Sequence, residues 1–408
     1  MPFADNLLDR IEGQGDEQER FRRRVINGIF LRRENLANSL ADYAFRIQTG
    51  FSKVHFERLC REVAPSLAPT TAQGNPVPLE SRIYSSLLCI RGNGFMVHAG
   101  LGAGVSPAGV HLSVHRFLDA VLDLKPLYLK MATAREMRET ANEIQEKYGI
   151  KNFSLGVDGK IFPLSGRPRF KEAPTFLEPQ GQDFWCTRKA TYGINAMLIT
   201  DGVLFREAVV HEPGRVHDSA VYTRSTFKTY WANASRQHGF LCAADKAYPL
   251  SRNLITPFRE PEINRALTQA EKDRMRLFNG KMSGARTELT ECMFGRLVKM
   301  FPLLNQLRYF MKDNQVLIMV CLILYNIKRT YIIIDDNDDD YMEEPDPVPE
   351  AQRENQIENQ EEEDHPEEEG EEQQRRAVPE RDLGLLVRDD LMATMARAPG
   401  RLDRVRHP

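Results

Sequence analysis

Four acids in this chain have the type and setting for metal chemistry. Asp158 closes an apolar run, Phe153–Val157, and Asp245 closes another, Phe240–Ala244. Asp218 stands at an expected helix start in His217-Asp218-Ser219, and Glu291 lies inside an expected helix, Gly284–Met300. If the two apolar runs are parallel neighbours, the carboxylates of Asp158 and Asp245 come side by side at one sheet edge. Converging carboxylates repel one another unless protonated or neutralised by a cation, and hard oxygen ligands favour Mg²⁺ or Mn²⁺. Two such ions, ~3.5–4 Å apart, can activate a water and stabilise the leaving oxygen in an in-line attack on phosphorus. That chemistry needs no side-chain nucleophile. No P-loop, dinucleotide fingerprint or G-x-S-x-G elbow competes for the assignment. Each acid also has a plainer reading: Asp218 as a helix N-cap, Asp158 as a turn residue before Gly159, Glu291 as a surface residue with Glu288 as its rival.

The elements that must position these acids follow from the apolar pattern. Strands are expected at Phe153–Val157, Thr191–Thr200, Val203–Val210 and Gly239–Ala244, with Asp201-Gly202 as a hairpin turn between the second and third. Helices are expected at Asp218–Trp231 and Gly284–Met300, with a long polar insertion containing some helix at 253–279 between. An apolar segment, 315–334, closes the body. Strand, hairpin, helix, strand, helix is the order of an α/β domain on a mixed sheet. The most apolar run, Val316–Tyr325, is too short to cross a bilayer and reads as a buried helix, so no membrane partner is expected.

Upstream the pattern is helical. Glu19–Ile47 reads as a basic helix; Leu79–Ile90, Phe95–Leu101 and Val110–Leu122 follow, the last begun by Ser106 as N-cap and Pro107 at the first helical position. Two short helices joined by a glycine-containing turn fit a helix-turn-helix. Arg91, His111 and Arg116 are its candidate DNA contacts. His111 and His115 lack the intervening Glu of a zinc-protease helix, so no zinc site is expected there. Met1–Gln18 is polar rather than an apolar leader.

Net charge is −3, which hides an asymmetry. Between Asp335 and Glu372 there are 20 acids and one base, Arg353; the remainder holds 54 bases and 38 acids, or +16. So basic a body suits a polyanion, because Lys and Arg release phosphate counterions. The acidic stretch is too poor in apolar residues to order itself and reads as a disordered linker, followed by a short amphipathic helix, Asp382–Ala396, and a basic tail. The six cysteines form no C-x-x-C pair, which speaks for reduced thiols inside the cell. The expected segments are 1–50 (basic, helical), 51–150 (helix-turn-helix-like), 151–334 (α/β), 335–381 (acidic linker) and 382–408 (helix and tail).

A resemblance sharpens this. Val157-Asp-Gly-Lys-Ile-Phe-Pro163, Thr187-Arg-Lys-Ala-Thr-Tyr-Gly-Ile-Asn195, Pro213-Gly-Arg-Val-His-Asp-Ser219 and Ala244-Asp-Lys-Ala-Tyr-Pro-Leu250 come in order. Ile255-Thr-Pro-Phe258, Phe278-Asn279 and Arg286 with Glu291-Cys-Met-Phe-Gly-Arg-Leu297 follow. Together they resemble the motifs of the PIF/Harbinger transposases and their domesticated nuclease relatives. The N-terminal helical block is similar to the same family's N-terminal region. The resemblance implies an RNase H-like fold and a DDE nuclease using Mg²⁺ or Mn²⁺. Asp158, Asp245 and Glu291 would be its triad, and Asp218 a fourth ligand or a supporting acid. Which of Asp218 and Asp245 is the formal second Asp stays open. The spacing to Phe294 favours Glu291 over Glu288. Arg188 and Lys189 match the family's R-K step and are candidate phosphate contacts. The chain departs from the family at Lys246 and at Met282-Ser283, where substrate contacts are expected to differ.

The implied activity is cleavage of DNA at element ends, with or without strand transfer; a domesticated DNA-binding protein without catalysis is the alternative. Implied partners are double-stranded DNA and a separate Myb/SANT-like protein, with self-association left open. The implied location is the nucleus, with or without a cytoplasmic share. The acidic linker and terminal helix are expected to dock a partner or to limit non-specific DNA binding.

Overall fold

The computed structural model describes residues 40–67, 77–92, 95–175, 178–335 and 379–395. Most of the basic N-terminal segment, the acidic linker beyond Asp335 and the basic tail lie outside them. The chain divides into two compact units, one of residues up to Leu124 plus Met300–Leu303, the other of Lys125–Lys299 and the residues from Leu304 on.

The first unit is helical: α1 (Asp42–Thr49), α2 (Lys53–Leu67), α3 (Leu79–Arg91), α4 (Met96–Ala103) and α5 (Pro107–Asp123). Of the helix expected over Glu19–Ile47 only residues 40–47 are described; there α1 starts at Asp42, after extended Ala41. Ser106 caps α5 as anticipated, its hydroxyl accepting from Gly109 N–H with Pro107 in the first turn. Gly104 ends α4 at φ +71°, which a side chain would strain. The turn into α5 is tight, since a Cβ on Gly100 would lie 2.3 Å from the Val105 carbonyl oxygen. Buried Ile83, Leu87, Val110, Val114 and Phe117 join α3 to α5.

The second unit holds α6 (Ala134–Tyr148), β1 (Phe153–Pro163), β2 (Trp185–Cys186), β3 (Thr191–Thr200), β4 (Phe205–Pro213), α7 (Asp218–Arg224) and α8 (Thr226–His238). It continues with β5 (Leu241–Ala243), β6 (Leu254–Ile255), α9 (Glu260–Arg265) and α10 (Gln269–Arg286). A π-helical turn, Thr287–Glu291, leads into α11 (Cys292–Met300), and α12 (Met311–Ile334) and α13 (Glu380–Met395) follow. The sheet runs β3-β1-β5-β6, with β2 and β4 both pairing on β3. β1 is antiparallel to β3 and parallel to β5, and β5 is parallel to β6, so the sheet is mixed. Its parallel part is buried on both faces, which is why β5 reads as an unbroken apolar run. Cys242 and Leu254 pack on one side with Trp231 and Tyr222, while Leu241, Ala243 and Ile255 pack on the other with Phe278 and Met282.

Several boundaries differ from the expected ones for local reasons. β1 does not stop at Val157 but runs to Pro163, because its antiparallel pairing with β3 continues beyond the end of β5. The hairpin turn is longer than two residues: the Asp201 carboxylate accepts from Val203 and Leu204 N–H, and β4 resumes only at Phe205. The helix expected over Asp218–Trp231 breaks at Ser225, which is extended and caps α8 through Lys228 N–H. The polar insertion contains most of α10, so helix reaches back to Gln269, where Thr268 caps it.

By length and composition α12 is able to span a membrane, but 67% of its most apolar window is buried in this protein. Asn326 on α12 bonds Phe205 N–H and carbonyl and the Tyr128 carbonyl, a partner set of protein groups. α13 covers the expected amphipathic segment and packs Leu391 and Met395 into the core beside α10. No disulfide joins any of the six cysteines, all of which lie among the described residues.

Candidate active site

The strand register brings the first two acids together. Gly156 of β1 pairs with Ala243 of β5 in parallel, so Asp158 and Asp245, each two residues on, leave the sheet side by side. Asp158 lies inside β1 rather than at its end, but it sits where the parallel partner stops. Each carboxylate accepts the next backbone N–H: Gly159 to Asp158 Oδ1 at 2.8 Å and Lys246 to Asp245 Oδ1 at 2.7 Å.

Asp218 arrives from the other side of β1. It is the first residue of α7, with His217 in the capping position, so it is not the N-cap. A Cβ on Gly159 would lie 2.3 Å from Asp218 Oδ1; only glycine admits the carboxylate so close to the strand. Asn195 of β3 fixes its orientation, donating 2.8 Å bonds to Asp218 Oδ1 and to the Val216 carbonyl.

Glu291 reaches the group through the π turn. Residues five apart on an α-helix point about 140° away from each other. The wider i→i+5 turn at Thr287–Glu291 brings Arg286 and Glu291 back to one face. The turn is pressed on the sheet: a Cβ on Gly156 would meet Thr290 Cγ2 at 2.5 Å, and the Thr200 hydroxyl donates to the Leu289 carbonyl. Glu288 points elsewhere, to Lys147 Nζ at 2.5 Å and the Tyr148 hydroxyl at 2.9 Å, and is not in the group.

Arg286 stands among the acids. Its guanidinium lies 3.3 Å from Asp245, 3.6 Å from Asp158 and 3.9 Å from Glu291. The Asp158 carboxyl is pushed up to about 7, first by burial and then by the charges of Asp245 and Asp218; Arg286 and the Gly159 amide work against the rise. Burial first, and then the nearby charges led by Asp218 and Asp158, hold the Tyr248 phenol well above its usual range. Tyr248 is 1% exposed and its hydroxyl has no hydrogen-bond partner.

The donor set is all oxygen and rich in negative charge, which suits a hard divalent cation. Burial is the main cause of the rise at Asp158, and the charges of Asp245 and Asp218 add to it. Among the described residues no three His, Cys, Asp or Glu side chains yet converge as an ion-binding group. Arg286 occupies the space between them, so an ion would be admitted by moving a side chain, not by rebuilding the fold.

Residues 158–326 match the family model of a DDE superfamily endonuclease. The matched segment begins at the first acid and contains the other three. It supports a nuclease or transposase-type function on an RNase H-like fold, and the DDE superfamily generally uses divalent metals. No curated protein and no solved structure matches the chain.

The candidate DNA contacts fare differently. Arg188 and Lys189 lie in the exposed turn before β3. His111 and Arg116 are exposed on α5, with the His115 ring 4.5 Å from that of His111. Arg91 is not laid out for phosphate: its guanidinium donates to the carbonyls of Met300 and Ile47, tying helix ends together. Asn195, Tyr248 and Arg286 had no assigned role in the sequence reading. Their motifs were visible there, but nothing in the residue types told which side chain would face the acids.

Proposed function

We propose that this chain is a divalent-metal-dependent DNA endonuclease of the Harbinger transposase kind. The observation that carries the reading is that Asp158, Asp245 and Glu291 surround one guanidinium at 3.3–3.9 Å, with Asp218 against Gly159 beside them, inside the segment that matches a DDE endonuclease. Asp158, Asp245 and Glu291 would hold Mg²⁺ or Mn²⁺, with Asp218, oriented by Asn195, as a fourth ligand or a support to them. When bound, such an ion polarises a phosphoryl oxygen and makes a hydroxide available at neutral pH.

The protein's own contribution is placement. β1 and β5 set the two aspartates side by side, the π turn delivers the glutamate, and the buried floor of Tyr248 and the core keeps their field unscreened. Asp158, whose carboxyl burial raises to about 7, would have to be ionised to serve as a ligand. Double-stranded DNA is the proposed substrate. The exposed His111 and Arg116 on α5, and Arg188 and Lys189 before β3, are the proposed phosphate contacts. Strand transfer, a Myb/SANT-like partner and a nuclear location are part of the same proposal and rest on the motif resemblance.

The test is titration of Mn²⁺ into the full chain by calorimetry, beside Asp158→Asn and Glu291→Gln. Saturable binding weakened at least tenfold by either substitution, with Mn²⁺-dependent nicking of duplex DNA lost in both, is expected. Absence of Mn²⁺ binding with and without DNA would remove the enzyme reading. A second reading, a DNA-binding protein that has lost catalysis, draws on one observation: a cation, Arg286, already stands among the acids.

A further inference from the structure

The arginines that pair with acids in the second unit are not alike. Arg206 meets Asp201 at 2.5 Å and Glu136 at 3.0 Å, the short contacts of charge-assisted bonds. Arg388 meets Glu262 at 3.0 Å and lays its guanidinium 3.8 Å over the Phe258 ring. Both are tightly fitted and nearly fully buried. Arg286 is half-buried, its side chain 12% exposed, and its carboxylate contacts are spread over three acids at 3.3–3.9 Å. It is central to three acids and hydrogen-bonded to one of them, Asp245, at 3.3 Å.

Charge explains the arrangement. Asp158, Asp218, Asp245 and Glu291 bring up to four negative charges, and one guanidinium neutralises one. Without any cation the group would repel itself; with Arg286 alone it remains underneutralised. A divalent ion offers more charge at shorter range to the same oxygens and cannot share their centre with a guanidinium.

We propose that Arg286 is a resident counter-ion that holds the acids together before the divalent ion binds and is displaced by it. The proposal rests on the metal site proposed above. Arg286 is a positioning residue in this sense: it acts through the acids, and the strength with which they hold an ion is set against it. The π turn that begins at Thr287 keeps Arg286 on the face of Glu291, so the competition is built into the helix that supplies the last ligand.

The experiment is Mn²⁺ binding to the full chain by calorimetry and by electron paramagnetic resonance of free Mn²⁺, at pH 7.5. The unaltered protein, Arg286→Gln, Arg286→Lys and Asp158→Asn are compared, with thermal melts of each without metal. Arg286→Gln should bind Mn²⁺ at least tenfold more tightly while melting lower in its absence, with a larger rise in Tm on adding the ion. Arg286→Lys, still cationic but without the planar fork, should fall between the two and keeps the test open if Arg286→Gln does not fold. Equal or weaker binding by both Arg286 variants, where the unaltered protein binds and Asp158→Asn does not, would overturn the counter-ion while leaving the metal site standing. Binding by none of the four proteins would take both down. Binding by Arg286→Gln alone would support both and show the site closed until the arginine leaves.

Discussion

At the scale of single residues, Asp158 carries a cost that pH exposes. Its carboxyl is raised to about 7 in the folded chain, against ~3.9 in an unfolded one. Between these values the folded state holds a proton that the unfolded state has lost. Stability from this group is therefore full below about pH 4 and declines as pH rises through 7. Asp158→Asn, which cannot ionise, should be more stable than the unaltered metal-free protein at pH 8, by up to about 4 kcal/mol. It should be no more stable at pH 4; urea midpoints at the two pH values decide it. Asn195 gives a second test. Asn195→Leu removes the donor that orients Asp218 and buries an apolar group beside a carboxylate. Mn²⁺ affinity should fall several-fold by calorimetry, and Asn195→Asp, which keeps the size but cannot donate to Asp218, should not restore it. The four acids were legible as types and positions, because strand ends and helix starts are marked by apolar runs. The guanidinium among them was not: Arg286 is five residues from Glu291, and on an ordinary helix it would face elsewhere.

At the scale of elements, motif pieces that look independent in sequence turn out to be halves of single contacts. Asn279 of α10 donates to the Phe258 carbonyl and accepts from the Phe258 N–H, both at 2.8 Å, so Thr256-Pro-Phe258 and Phe278-Asn279 form one clasp. Gly156 and Thr290 are another pair, the strand yielding its Cβ to the turn. Gly156→Ala should push the π turn off β1, cost on the order of 1–3 kcal/mol as overpacking does, and weaken Mn²⁺ binding through Glu291. A melt shifted down with metal affinity unchanged would show that the turn does not set the acid. Parallel pairing of the two acid-bearing strands entered the sequence reading as a condition, and the register meets it. The length of β1 and the break at Ser225 were not foreseen, since each depends on a neighbour, β3 or a local cap; some helix within 253–279 was expected, its run on through Arg286 was not.

At the scale of the molecule, the helical unit and the α/β unit each have their own buried core, and the DDE match falls on the second apart from its overlap with Met300–Leu303. Helical periodicity upstream and strand periodicity downstream made this division visible, while the place of α13 was not, because nothing in an amphipathic helix names its groove. Its Arg388 is 1% exposed and is held by Glu262, the Pro257 carbonyl and the face of Phe258. Arg388→Ala should leave Glu262 without its cation and Phe258 without its cover, destabilising the α/β unit by about 3–5 kcal/mol. Arg388→Met, which keeps the stem, should lose less. Thermal melts of both variants check the order.

The position of α13 in the chain also has a meaning in time. Synthesis runs from the N-terminus, and domains fold as units when their parts have emerged. β6, α9 and α10 leave the ribosome well before Arg388 does, so Phe258, Ile263 and Leu250 are made long before their last cover. A nascent chain halted after Ile334 carries every acid of the candidate site and still exposes that apolar groove, a surface on which chaperones and proteases act. Possession of the acids and survival as a finished protein are therefore separate events on the ribosome, and the second waits for a helix that contributes nothing to the chemistry.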